Sequence, residues 1–224
     1  MSLILNIDTA TEKASLCLAK NGEPLSLMHN DRQQEHAAWL HVAIKTMLQD
    51  ANHQIKDINA IAVTAGPGSY TGLRVGMASA KGFCYALNIP LITENTLYVM
   101  AFAATQQVKR SNVLFCPMID ARRMEVYGAL YGEGLQEIIA PSAIILDERS
   151  FATELANDKI IFFGSGSKKW QQLIHDPNAG FEDIGTDAGH LSVLSYQKFL
   201  QEKFTDIIYC EPVYIKEFHS YNKK

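Results

Sequence analysis

Leu3-Ile4-Leu5-Asn6-Ile7-Asp8-Thr9 is an apolar run that ends at an aspartate, and Val113-Leu114-Phe115-Cys116-Pro117-Met118-Ile119-Asp120 is a second one. The elements downstream of each run decide the fold. After the first, residues 15–19 lead into Lys20-Asn21-Gly22-Glu23, and Asn-Gly between apolar runs is a strong hairpin signal. A third strand is expected at about 24–28. A helix then spans about 34–48, with Leu40, Ala43, Ile44, Met47 and Leu48 on one stripe. Residues 60–64 read as a short buried strand, Gly66-Pro67-Gly68-Ser69 as a turn, and 72–87 as a helix closed by Asn88 and Pro90. After the second run come a strand at 125–131, the turn Gly132-Glu133-Gly134 and a strand at 135–139. A helix at 148–156, a strand at 160–163, the turn Gly164-Ser165-Gly166 and a helix starting over 167–175 complete the unit. Each half therefore reads β-β-β-α-β-α, an α/β chain made of two similar lobes. The expected division is an N-terminal lobe, 1–108, and a C-terminal lobe, 109–224. The connection 89–112 holds a further helix at about 96–107, matched by one near 191–203, and a short strand is expected at 212–215.

The composition suits such a plan. In 224 residues, 47% are hydrophobic and 20% charged, which excludes a mainly disordered chain and leaves ample apolar surface for a core. The net charge of −4 argues against binding nucleic acid through a broad basic surface, because neutralising phosphates takes clustered Lys and Arg. The opening residues lack a basic region, and no stretch approaches the roughly 20 apolar residues of a membrane span, so no membrane association is expected. Cys17, Cys84, Cys116 and Cys210 form no C-x-x-C and sit in apolar contexts. They read as small core residues, and the reduced cytoplasm is the expected compartment.

Two facing β-β-β-α-β-α units are the architecture of the actin, Hsp70 and sugar-kinase group, the actin-like ATPase (ASKHA) fold. In that arrangement, strand-terminal aspartates and hairpin turns address the phosphates and Mg²⁺ of a nucleotide, which needs hard oxygen ligands. Asp8 and Asp120 stand where such ligands would be. The alternative is that each carboxylate simply takes hydrogen bonds from backbone N–H groups of the next turn. The segments after both aspartates lack the glycine that would let backbone approach a phosphate. The loop Ala65-Gly66-Pro67-Gly68-Ser69-Tyr70-Thr71-Gly72-Leu73-Arg74 joins a strand to a helix and could cradle an anion on unpaired N–H groups. It fits neither a Walker A loop, having Leu73 where the lysine would stand, nor G-x-G-x-x-G, having Thr71 for the last glycine. A tight turn with Ser69 or Thr71 capping the helix explains it as well. Gly164 and Gly166 form a weaker version. His36 and His41 are five residues apart, wrong for helical metal ligands, and Cys84 lies among Phe83 and Tyr85 within a helix. No H-E-x-x-H or G-x-S-x-G occurs.

The two first-half helices carry a different signal. On 34–48, Ala38, Trp39, Val42 and Thr46 form a second apolar stripe. On 72–87, Ala78, Gly82 and Ala86 are a small-residue row with Val75 beside it, a spacing that lets another helix come close. Either both helices are sandwiched within the chain, or this is a helix-pair interface for a second protein.

The run Gly66–Arg74, with Ile7-Asp8-Thr9-Ala10-Thr11 before it and Asp120-Ala121-Arg122-Arg123-Met124-Glu125-Val126-Tyr127 after it, resembles the TsaB (YeaZ) family. The similarity is close up to about residue 104 and looser beyond Gly132. It implies a subunit needed for N6-threonylcarbamoyladenosine at position 37 of tRNAs that read ANN codons. In that family the transfer is made by the paralogue TsaD, with the ATPase TsaE joining the assembly; TsaB is a non-catalytic partner. ATP is then used by partner subunits, no cofactor is expected on this chain, and tRNA is met only indirectly. TsaD carries a metal-binding H-x-x-x-H on the helix whose counterpart here, Thr96-Leu97-Tyr98-Val99-Met100-Ala101-Phe102-Ala103, has no histidine. The expectation is a TsaD heterodimer, and a homodimer in its absence, through Trp39, Val42, Val75, Ala78, Gly82 and Ala86. The competing expectation is a nucleotide-dependent phosphotransferase using Asp8, Asp120 and the loops at Gly66, Gly68, Ser69, Gly164 and Gly166. A peptidase is the weaker rival.

Overall fold

The computed structural model describes residues 2–32 and 35–216. The expected helix start at Gln34 and the lysines beyond Lys216 lie outside those residues. Two five-stranded sheets carry the molecule. In the first, the order is β3 (Glu23–Asn30), β2 (Ala14–Lys20), β1 (Leu3–Asp8), β4 (Ala60–Gly66) and β5 (Leu91–Asn95). In the second, it is β8 (Glu137–Ile145), β7 (Glu125–Tyr131), β6 (Val113–Asp120), β9 (Lys159–Phe163) and β10 (Ala179–Phe181). Both sheets therefore have the order 3-2-1-4-5. Both pair their first three strands antiparallel and their first, fourth and fifth parallel. Matching order and matching strand sense are what a duplicated unit requires.

The helices complete the layers. On one face of the first sheet lie α1 (His36–Asp50) and α2 (Tyr70–Leu87), where Leu40, Ile44, Met47, Met77 and Ala80 join Leu5, Ile7 and Val63 in one core. On the far face of the second sheet lie the short helices α4 (Ala152–Leu155) and α5 (Ser167–Gln171), with Trp170 stacked edge-on against Phe162 and Phe151. Between the sheets run α3 (Thr96–Gln107) and α6 (Ala188–Leu200). The helix following the first sheet packs Leu97, Met100 and Ala104 on Phe115 and Phe163 of the second. The helix following the second sheet places Leu191 and Leu194 on Ile4, Ala62 and Ile92 of the first. Residues 188–200, counted with the second lobe by sequence, thus lie against the first sheet, and Thr205 and Val213 bond to Leu91 and Ala65 of that sheet. Ser195 Oγ donates to Asn6 Oδ1 at 2.6 Å, and Ser15 Oγ accepts from Ala188 N at 2.8 Å.

Several elements differ from the sequence reading. The strand expected at 135–139 is Glu137–Ile145, running through Pro141. Because β8 is an edge strand, the missing N–H of Pro141 costs no ladder bond. The helix expected at 148–156 shrinks to Ala152–Leu155, because Asp147 Oδ1 takes hydrogen bonds from Arg149 N and Ser150 Oγ and holds the preceding residues in a turn. No strand forms at 212–215. Pro212 has no N–H to give, and Val213 N makes a single bond to Ala65 O at 2.7 Å.

Candidate functional site: the glycine loops and the helical face

The glycine loop of the first lobe is packed against the end of β1. The peptide Gly66-Pro67 is cis, and Gly66 has φ +117°, a backbone region that glycine tolerates and side chains do not. Ser69 caps α2 by accepting from Gly72 N at 3.3 Å, as its position before the helix suggests. Ser69 N donates to Ala10 O at 2.7 Å, and Thr9 Oγ1 donates to Gly72 O at 2.8 Å. A Cβ at Gly68 would lie 2.1 Å from Ala10 O, one at Gly72 2.1 Å from Thr9 O, and one at Gly76 2.3 Å from Thr9 Oγ1. These glycines allow the chain's own β1–β2 turn to come close. In a phosphate-binding loop, the same absence of side chains would admit a phosphate; here Thr9 and Ala10 fill that space.

Asp8 belongs to this packing. It is 4% exposed, and its Oδ1 accepts from Ala10 N at 3.1 Å and from Thr64 Oγ1 at 2.8 Å. Burial pushes its carboxyl above the usual range, opposed by those two hydrogen bonds. The bond from Ala10 N is the one that a turn-stabilising carboxylate makes. With a folded-state pKa raised above 3.8, Asp8 makes stability fall as pH rises through the interval between that value and the folded one. Asp8→Asn keeps an oxygen for both donors. It is expected to leave the melting temperature above pH 6 unchanged or higher and to remove that part of the pH dependence; calorimetric scans from pH 3 to 8 check this.

The second lobe repeats the arrangement more loosely. Gly164, at φ +90°, would place a Cβ 2.5 Å from Met118 O, and Gly166 would meet Val126 Cγ1 and the backbone at Ile119. Asp120 remains at the surface. Partial burial works to raise its carboxyl, but Oδ1 accepts from Lys169 Nζ at 2.8 Å and from Arg122 N at 2.6 Å, and together these hold it below the usual range. Lys169 also donates to the carbonyls of Arg123 and Glu125, so it ties the β6–β7 turn together. Asp8 and Asp120 thus both close the turn after their strand.

Sequence reasoning missed a strap formed by the residues after α6. Val213 O covers Gly66, with a Cβ there only 2.6 Å away. Tyr214 stacks near Tyr70 and receives a hydrogen bond from Arg74 Nε at 3.0 Å, while Lys81 donates to Cys210 O at 2.9 Å. The signal in the sequence was the aromatic Tyr214 so near the end, with no periodicity to say where it docks. Burial pushes the Cys17 and Cys84 thiols up to about 12 and Cys116 well above its usual value, which disfavours the thiolate at all three. Among the described residues no three His, Cys, Asp or Glu gather as a metal site, and no helix is long and apolar enough to cross a membrane.

The outer face of α1 and α2 is different in character. The expected inner stripe of α1 is buried in full. The outer one splits: Val42 is 66% exposed and Ala38 is exposed, whereas Trp39 and Thr46 are half-buried; Trp39, like the half-buried Val75 of α2, leans on the first core. On α2, Ala78, Gly82 and Ala86 are exposed, and a Cβ at Gly82 would meet nothing within 4 Å. Tyr85, beside them, is 85% exposed. The helices are fixed to one another by His41, whose ring lies 5.6 Å from Phe83 and whose Nε2 is 3.2 Å from Ser79 Oγ. The structure therefore leaves the small-residue row in solvent.

Comparison with known proteins places this architecture. A family model described as TsaD: tRNA N6-adenosine threonylcarbamoyltransferase matches residues 30–199. The tRNA threonylcarbamoyladenosine biosynthesis protein TsaB of Escherichia coli is 29% identical, over 98% of this chain and 97% of its own length. TsaB of Bacillus subtilis is 28% identical over 95% and 93%. A crystal structure from Pseudomonas aeruginosa, described as similar to peptidase YeaZ, superposes with a TM-score of 0.79 at 25% identity, covering 96% of this chain and all of that one. With two actin-like lobes and the glycine motif in place, the chain belongs to the TsaB/YeaZ family, within the group that the threonylcarbamoyltransferase model defines.

Proposed function

We propose that this chain serves tRNA threonylcarbamoyladenosine biosynthesis as a non-catalytic subunit that binds the transferase TsaD through α1 and α2 and holds it in a competent conformation. The observation that carries the reading is the pairing of a filled glycine loop with an open helical face. A subunit that handled a nucleotide itself would need the space that Thr9 and Ala10 occupy. A subunit that works by association needs an exposed apolar surface on rigid elements, which Val42, Ala78, Gly82 and Ala86 supply. Small residues along α2 let a partner helix approach to the short end of the usual 8–10 Å spacing. TsaE joins the larger assembly, ATP is consumed on those partners, and tRNA is engaged through TsaD. With TsaD absent the same face serves a homodimer.

Reconstitution tests the reading. TsaD, TsaE, threonylcarbamoyl-adenylate and an ANN-decoding tRNA are combined with or without this chain, and modified adenosine is counted. Modification is expected to fall at least tenfold when the chain is omitted, and Val42→Glu is expected to reproduce most of that loss. Equal modification without the chain would overturn the proposal, as would stoichiometric Mg-ATP binding by the chain alone that disappears in Asp8→Asn.

A further inference from the structure

A cleft of about 380 Å³ opens between the lobes, away from both glycine loops and from the α1–α2 face. The first lobe contributes Asn95 and Tyr98 at the start of α3, the second contributes Tyr131 and Glu137 at the β7–β8 hairpin, and Lys203 follows α6. Its volume lies within the range of small-ligand pockets.

What marks it as a site is Tyr131. The residue is 1% exposed and packs edge-on to Tyr98 with ring centroids 5.8 Å apart, yet its hydroxyl has no hydrogen-bond partner among the described residues. That hydroxyl is not fully enclosed: it opens onto the cleft, where it is free to donate to whatever enters. The Tyr98 hydroxyl is likewise unengaged among them. Burial, with Glu137 and Glu94 nearby, pushes the Tyr131 phenol above its usual value, so it remains a proton donor. Both phenols therefore await an acceptor.

The charges narrow the ligand. Glu94 is already satisfied, with Oε2 at 2.8 Å from Lys198 Nζ and Oε1 accepting from Asn95 N at 2.9 Å. That leaves one carboxylate, Glu137, and one ammonium, Lys203, exposed at the rim with no ion-pair partner among the described residues. A balanced cleft of this kind disfavours a nucleotide, whose phosphates need net positive charge. It suits a small zwitterion. We propose that this cleft binds a free α-amino acid, whose carboxylate is received by the Tyr98 and Tyr131 hydroxyls and Lys203 and whose ammonium is received by Glu137. Because the lining comes from both lobes, an occupant would also fasten one lobe to the other.

The test is calorimetry and ligand-observed NMR on the full chain with each of the twenty L-amino acids, and with adenosine as a competitor of different chemistry. At least one amino acid is expected to bind with Kd below about 1 mM. Tyr131→Phe, which removes the hydroxyl and keeps the packed ring, should weaken it about tenfold or more, since the lost bond is to a charged group. Glu137→Gln and Lys203→Met, at exposed positions, should each weaken it without altering the melting temperature. No binding by any of the twenty at about 10 mM would overturn the proposal. So would affinity unchanged in all three variants, or binding of adenosine alone.

Discussion

Gly72→Ala is expected to destabilise the protein by about 3 kcal/mol or more, while Gly82→Ala, ten residues along the same helix, should stabilise it by up to about 1 kcal/mol. The helix propensity gain is identical in the two cases, since glycine is disfavoured within any helix relative to alanine. The surroundings set the sign. A methyl at Gly72 would sit 2.1 Å from the backbone carbonyl of Thr9, and Thr9 cannot retreat without breaking its Oγ1 bond to Gly72 O and dragging the end of β1. At Gly82 the methyl enters open solvent. For a chain of this length, about 3 kcal/mol corresponds to a fall of roughly 6–12 °C in melting temperature, and the Gly82 change to a rise of a few degrees. Gly68→Ala should behave like Gly72→Ala, because its methyl would lie as close to Ala10 O. Thermal unfolding followed by circular dichroism reads all three. A phosphate-cradling loop predicts another pattern, in which Gly68→Ala and Gly72→Ala melt normally and lose nucleotide binding. Melting temperatures unchanged in both would show that the loop is open.

Two glycines on one helix with opposite fates illustrate how local and long-range information divide in this chain. The repeat is legible in the sequence because it is written in local signals: two apolar runs ending in Asp8 and Asp120, the Asn21-Gly22 hairpin, and the buried stripe from Leu40 to Leu48. The fifth strand of each sheet is not. Leu91–Asn95 and Ala179–Phe181 are short edge strands, too brief to show alternation, and they exist because a parallel neighbour is waiting for them. The sandwiching of α3 between both sheets and the crossing of α6 onto the first are equally invisible, since periodicity cannot name the sheet that an apolar face meets. The same limit applies at the glycine loop. Sequence identifies a residue without a side chain; only the long-range contact from Thr9 and Ala10 says what uses the space. The cleft at Tyr131 gives no signal at all, because its lining is drawn from four separate segments.

The outer face of α2 is the part of the site that sequence does reach, through Ala78, Gly82 and Ala86 at four-residue spacing, and it yields the sharpest test of partnership. Gly82→Leu is expected to leave the isolated chain as stable as before, or slightly more so, and to weaken TsaD binding at least a hundredfold. The first half rests on the open space around Gly82 and on leucine's high helix propensity. The second rests on packing. If a partner helix crosses at the small-residue row, four added carbons must either push it outward along its whole length or force strained rotamers at the centre of the contact, where substitutions cost most. A cost of about 3 kcal/mol is a hundredfold in Kd. Tyr85→Ser, at the rim of the same face, should cost less, and Lys45→Ala, exposed on α1, should cost almost nothing. Titration of TsaD into each variant ranks the positions. Full affinity in Gly82→Leu would move the interface off α2, whereas loss in Gly82→Leu with melting unchanged separates association from folding, which no substitution in the filled glycine loop can do.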